Sequence, residues 1–391
     1  MKNSPRVNCK LETSTPAASN TQSPIPNTQY PMPKPLPTQT LKPNQTKKTA
    51  TESASGGILL GDKVYWNPAA LPNGHIAIIG ASGSGKTQTL KAIAYELPRL
   101  FPEIKIVLAD FHGDLHLPGE VCYPLNMQSP YGINPLVIDL DVLGGGPNLQ
   151  AIAVAAIFKK ALVLGSNQEG LVIDILNTCY QQKGIVQHNQ QSWKLTPPTF
   201  ADVRREITAR IESGCKESVK LQLKLAATFQ YGIFDRPQPS LDAQIIRFDL
   251  SALGKVPGLS AIAAEALAKQ LMDSHRIMGE IEGKIPRTFL IVDEAKEVKN
   301  SPSIKIIYGD GRKFGLNAIV ASQRDGEISD EAIANSSTKV LLAVDQTEVK
   351  RVSKRFRFAE SLVSQLQPLE ALVRMGTNGE RCKIKPFYER I

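Results

Sequence analysis

The eight residues Gly80-Ala-Ser-Gly-Ser-Gly-Lys86-Thr87 are those whose types and spacing most directly imply chemistry. They follow the apolar run His75–Ile79 and precede the helix-forming stretch Gln88-Thr-Leu-Lys-Ala. This is the order of strand, glycine-rich loop and helix that a phosphate cradle requires. Gly83 and Gly85 let the backbone turn so that successive N–H groups face phosphate oxygens, and the helix start adds its positive dipole end. Gly80, Ser82, Ser84 and Gln88 complete the cradle. Lys86 can reach the β- and γ-phosphates, and the Thr87 hydroxyl can ligate Mg²⁺. The expected ligand is ATP with Mg²⁺.

Hydrolysis needs a second set of groups. Thr288-Phe-Leu-Ile-Val-Asp293-Glu294 reads as a strand buried on both faces that ends in two carboxylates. Asp293 would hold the Mg²⁺ or its water, and Glu294 would orient and deprotonate the attacking water. Gln323, closing Ala318-Ile-Val-Ala-Ser-Gln, can sense the γ-phosphate from the tip of a neighbouring strand. Arg312, in Gly311-Arg-Lys-Phe-Gly315, can neutralise phosphoryl charge only if delivered to a site. On chemistry alone it reads as a surface residue at a helix end. Asp110 and His112, in Val107-Leu-Ala-Asp-Phe-His-Gly-Asp114, also sit after an apolar run. They would position the site or merely turn the chain.

The elements that must position these groups are legible as alternation. Strand-like runs are expected at His75–Ile79, Ile104–Leu108, Gln244–Phe248, Thr288–Val292, Ala318–Ala321 and Val340–Val344, with helices such as Thr87–Leu97, Ala261–Met278 and Pro302–Phe314 between them. That pattern predicts a three-layer α/β fold with a mostly parallel central sheet. From about 140 to 240 the strand signal disappears and four stretches carry helical spacing. We read them as an all-helical insertion in one domain spanning 56–391. Residues 1–55 hold nine of the 27 prolines and are rich in Ser, Thr, Asn and Gln. Such a stretch cannot offset its ordering entropy by burial and reads as a disordered arm.

Charge says less than it promises. The chain carries 46 Lys and Arg against 37 Asp and Glu, a formal +9. Residues 1–55 have seven basic and two acidic side chains, so they supply +5 and leave +4 for the rest. The densest basic cluster elsewhere is Lys350, Arg351, Lys354, Arg355 and Arg357. At i,i+4 spacing it reads as a phosphate-contacting stripe, a solvated helix face or a subunit-interface patch. Cys9, Cys122, Cys179, Cys215 and Cys382 form no metal-ligand or disulfide pattern. With no signal-peptide-like start and no apolar run long enough to span a bilayer, a cytoplasmic protein without a transmembrane segment is expected.

Taken together, Gly80–Thr87, Asp293-Glu294, Gly311-Arg-Lys-Phe-Gly and Ala-Ser-Gln323 resemble the HerA–FtsK superfamily of P-loop ATPases, which share a RecA-like core. Asp110-Phe-His-Gly-Asp114 and Phe248-Asp-Leu-Ser-Ala-Leu agree with it, and the resemblance covers roughly 57–390. It implies a RecA-like P-loop NTPase and a homo-oligomer, typically a hexameric ring, that moves DNA without sequence preference. It raises Arg312 to a group acting across a subunit interface and makes Gln323 a phosphate sensor. The chain departs from HerA itself in having the arm where HerA carries a β-barrel domain. The resulting expectation is an ATP-hydrolysing DNA translocase or helicase-like motor. The alternatives are an ATPase energising a membrane-associated conjugation or type IV secretion machine, and a nucleotide-dependent regulatory switch.

Overall fold

The computed structural model describes residues 56–141 and 144–391; the arm expected at 1–55 lies outside the described residues. A short antiparallel pair, β1 (Ile58–Gly61) and β2 (Val64–Trp66), precedes β3 (Ile76–Ile79), α1 (Lys86–Leu100), β4 (Lys105–Asp110) and β5 (Val121–Pro124). Four helices follow without an intervening strand: α2 (Pro147–Leu162), α3 (Ser166–Gln182), α4 (Phe200–Glu212) and α5 (Lys216–Tyr231). The chain then forms β6 (Ile245–Asp249), α6 (Leu259–Ile277), β7 (Thr288–Val292), α7 (Ala295–Val298), α8 (Pro302–Asp310) and β8 (Leu316–Ser322). It ends with α9 (Asp330–Asn335), β9 (Thr338–Leu342), α10 (Val349–Phe356), α11 (Glu360–Ser364), β10 (Glu370–Met375) and β11 (Asn378–Lys383).

Nine strands make one sheet in the order β11-β10-β9-β3-β8-β7-β4-β6-β5. All pairings from β9 to β5 are parallel, and the β10–β11 hairpin closes one edge antiparallel. The expected mostly parallel sheet is therefore the one observed. Central strands are buried on both sides because helices cover both faces. Alternate residues divide between two cores: Ile76 and Ile78 of β3 pack with α1, whereas Ala77 and Ile79 face the layer that includes α6 and the 147–231 helices. The period-2 side-chain alternation of a strand produces this division directly.

One expected helix is shorter than its pattern. Pro302–Phe314 was expected as one helix; α8 stops at Asp310 and a 3₁₀ turn, Gly311–Phe314, completes it. A Cβ at Gly311 would lie 2.5 Å from the Leu316 carbonyl oxygen, and Gly315 has φ +77°. The chain must reverse there to enter β8, and only glycines allow both the approach and the turn.

At the opposite end of the sheet from the phosphate loop, His75 is fully buried. Its Nδ1 accepts from the Ala318 N–H at 2.9 Å, and its ring packs against Tyr308 with centroids 4.7 Å apart. Burial holds its pKa down to about 3, with Arg312 lowering it further against the backbone hydrogen bond. An unfolded histidine titrates near 6.5. Above that pH both states are neutral at this site; below it only the unfolded chain takes up the proton, so stability falls as pH falls. One such group costs about 1.4 kcal/mol per pH unit. His75→Asn, which keeps an acceptor for Ala318, is expected to remove about one proton from the slope of unfolding free energy between pH 6 and 5, measured by urea titration. An unchanged slope would show that His75 does not titrate this way.

Candidate active site

The phosphate loop owes its shape to two glycines and to its neighbours in the sheet. Gly83 has φ +77° and Gly85, the residue before α1, has φ +105°. A Cβ at Gly85 would lie 2.6 Å from Leu369 Cδ2, whereas one at Gly83 would meet open space. Leu369 itself has φ +65°, and its N–H donates to the Ser84 carbonyl at 3.0 Å. The loop is also tied by Gly80 N–H to Ser322 O at 3.2 Å and Ala81 N–H to Ala343 O at 2.7 Å. The cradle is thus held from β8, from the end of β9 and from the residue before β10.

The loop lines a cleft of about 360 Å³ together with His112, Asp114, Asp293, Glu294 and Gln323. Gly80 lies buried at the end of β3, while Ser82, Gly83, Gly85, Lys86, Thr87 and Gln88 all face the cleft. Ser84 is buried, and its Oγ and the Gln88 Oε1 have no hydrogen-bond partner among the described residues. Lys86 Nζ donates to Gly80 O at 2.7 Å and Ala81 O at 3.1 Å. Burial lowers its pKa, opposed by Glu294, Glu327 and Asp114. A glycine-turned loop and an ammonium group, facing acids across a polar cleft, fit a nucleotide phosphate chain with Mg²⁺.

On the far wall, Asp293 and Glu294 are 8% and 3% exposed. Asp293 Oδ1 accepts from the Phe111 N–H at 3.0 Å. His112 bridges the pair, with Nδ1 3.0 Å from Asp293 Oδ2 and Nε2 3.5 Å from Glu294 Oε2. Desolvation raises the pKa of both acids, and the hydrogen bond to Asp293 raises that of His112. Each Asp293 oxygen retains a lone pair for a cation, and Thr87 faces the same cleft. His112 thus lines the same cleft as the two acids. Asp110 lies beneath it, fully buried, where it accepts hydrogen bonds from the loop it starts. One carboxylate oxygen each from Asp110, Asp114 and Asp293 lies within 4.8 Å of the others.

Gln323 is exposed at the tip of β8 and reaches the cleft. Arg312 does not: it lines a different cavity with Asn73, Glu280 and Lys284, before the start of β8. The length of β8 (Leu316–Ser322) puts about 20 Å between the two sheet edges. Arg312 therefore cannot serve the cleft of its own chain. The basic stripe on α10 is likewise partly spent: Arg351 and Arg355 form ion pairs with buried Asp325 at 2.8 and 2.9 Å. Sequence patterns gave no hint of Leu369 or of Glu327, which accepts from Ser322 Oγ and acts electrostatically on Lys86 and Glu294. A charged residue in a half-buried turn carries no periodic signal.

The two glycines make separable demands on nucleotide binding. A non-glycine residue at positive φ costs about 1–2 kcal/mol, roughly tenfold in affinity. Gly83→Ala meets only this penalty, whereas Gly85→Ala meets it and collides with Leu369. ATP binding by isothermal titration is expected to weaken more in Gly85→Ala than in Gly83→Ala. Equal losses would remove Leu369 from the loop's support.

Comparison with known proteins agrees with this geometry. Residues 57–127 match a family model described as Helicase HerA, central domain. Among solved structures, VirB4 of Thermoanaerobacter pseudethanolicus superposes with a TM-score of 0.73 at 20% identity, covering 87% of this chain and 99% of that one. The plasmid coupling protein TrwB in complex with ADP and Mg²⁺ superposes with a TM-score of 0.60 at 15% identity, covering 87% and 92%. The bacterial conjugative coupling protein TrwBΔN70 with sulphate gives 0.59 at 16% identity, covering 86% and 90%. No curated protein sequence matches the chain. The HerA match falls on the segment that carries the phosphate loop, and the remaining strands continue the same RecA-like sheet. The chain thus has the mixed α/β fold of VirB4 and TrwB, and its phosphate-loop segment is similar to the HerA central domain.

Proposed function

We propose that this chain is an ATP-driven motor of the conjugation and type IV secretion kind, working as a ring of identical subunits that moves a macromolecule. The observation that carries this reading is the fold match to VirB4 along 99% of that chain's length. No helix among the described residues is long and apolar enough to cross a membrane. In this reading the ring acts from the cytoplasm, docked on a membrane channel. A second reading, a DNA translocase or helicase-like motor, is favoured by the HerA central-domain match.

In either reading the chemistry is the same. Backbone N–H groups of the loop and Lys86 hold the phosphates, Thr87 and Asp293 hold Mg²⁺, and Glu294 takes the proton of the attacking water. Lys86 would leave the Gly80 and Ala81 carbonyls for the β- and γ-phosphates. Gln323 would report the γ-phosphate to the rest of β8. Arg312, at the opposite sheet edge, would complete the site of a neighbouring subunit, which is supported by its distance from its own cleft.

Lys86→Ala is expected to abolish nucleotide binding or turnover, and Glu294→Gln to hold ATP while turnover falls by two or more orders of magnitude. Because desolvation raises the Glu294 pKa, the acid limb of the turnover profile should lie above the ordinary glutamate value of about 4.3. Turnover that survives in Glu294→Gln would remove it as the base. Mixing Arg312→Ala with Lys86→Ala subunits should restore part of the activity through mixed interfaces, and no restoration would rule out action across subunits. Stimulation of ATP turnover by duplex or single-stranded DNA separates the substrates: several-fold stimulation supports DNA, and indifference to both supports a protein substrate.

A further inference from the structure

Arg247, in β6, is 2% exposed, and nothing in its position suggests contact with nucleotide. Its guanidinium nevertheless gathers both ends of the segment that forms the far wall of the cleft. Nη1 lies 2.9 Å from Asp110 Oδ2, where that segment begins. Nε lies 2.9 Å from Glu120 Oε1, where it ends, and Nη2 lies 2.7 Å from His116 Nδ1 between them. Asp249 Oδ2 is 3.7 Å from Nη1.

The other side of Asp110 shapes the same segment. Its Oδ1 accepts from the N–H groups of His112, Gly113 and Asp114 at 3.3, 2.7 and 3.3 Å, and Oδ2 accepts from Leu115 N–H at 3.1 Å. Gly113 has φ +78°, as a turn wrapped around a carboxylate requires. From this turn Phe111 N–H and His112 Nδ1 each reach a different oxygen of Asp293, and His112 Nε2 lies 3.5 Å from Glu294. A chain of direct contacts therefore runs from Arg247 through Asp110 and the 111–115 turn to the two acids. An arginine stays charged and presents a planar fork, so it can fix several acceptors at once in a dry interior.

We propose that Arg247 is a positioning residue for ATP hydrolysis, holding Asp293 and Glu294 in register through Asp110 and the His112 turn. This rests on the reading of Asp293 and Glu294 as the magnesium and base residues. The phosphate loop stands outside this chain of contacts. Loss of Arg247 should therefore leave nucleotide affinity close to that of the parent while slowing turnover, since small misplacements far from the reacting atoms cost up to about a hundredfold.

The test uses the full chain with Arg247→Lys, which keeps the charge and loses the fork. Asp110→Asn, which keeps the shape and loses the charge, is the second variant should the first fail to fold. Each is assayed for binding of a fluorescent ATP analogue, for turnover at saturating ATP, and for the Mg²⁺ concentration giving half-maximal turnover. Expected are affinity within about threefold of the parent, turnover lowered about ten- to a hundredfold, and a higher Mg²⁺ requirement. Combining Arg247→Lys with His112→Ala should add little to either single change, because both act through one turn. Lowered thermal stability with parent-like turnover and Mg²⁺ dependence, or effects that multiply fully in the double variant, would overturn the proposal. Glu294→Gln is run alongside: if it retains turnover, the assignment of the acids has failed and not the role of Arg247.

Discussion

The structure depends on the parallel pairing of β9, β3, β8, β7 and β4. Side by side and in one direction, these strands bring their C-terminal ends to a single edge. The phosphate loop leaves β3, Asp110 ends β4, Asp293 and Glu294 follow β7, and Gln323 follows β8. Ligands of open parallel sheets bind at this edge for a topological reason, because the connecting segments part there. The cleft is thus a property of strand order before it is a property of any side chain. Helices on both faces make that order tolerable by burying the apolar strands on each side.

Within the cleft, charge is balanced by the protein itself. Lys86 rests on two loop carbonyls, and His112 rests on the acids opposite. Neither group relies on water alone, which matters where desolvation penalises every charge. The same economy appears below the cleft, where Asp110 receives four N–H groups and one guanidinium. A buried carboxylate with that many donors is held in one place, so the turn built on it is held too.

Much of this was legible in the sequence because it rests on local rules. The loop Gly80–Thr87 and the run Thr288–Val292 with its two acids carry their chemistry in consecutive residues, and both stand where expected. Arg312 has no such local pattern, and its separation from the cleft is visible only once the direction of β8 is known. The hairpin β10–β11 was missed although Gly376-Thr377-Asn378-Gly379 is a turn signal: charged residues in Asn378–Lys383 mask the alternation of an edge strand. β5 was missed for a related reason, since a four-residue edge strand has one buried neighbour and little apolar demand. Arg247 hid inside an apolar strand, where a single cation looks like an exception until its partners from 110 to 120 fold around it.

The contact of Leu369 with Gly85 has a consequence for synthesis. The phosphate loop is made before its walls: β8, the end of β9 and Leu369 leave the ribosome more than 200 residues later. Contacts so distant along the chain form late in folding. A nascent chain that has displayed Gly80–Thr87 therefore has no finished cradle until nearly all the sheet has emerged. A chain that stops short of Leu369 therefore presents the phosphate loop without the residue that braces it.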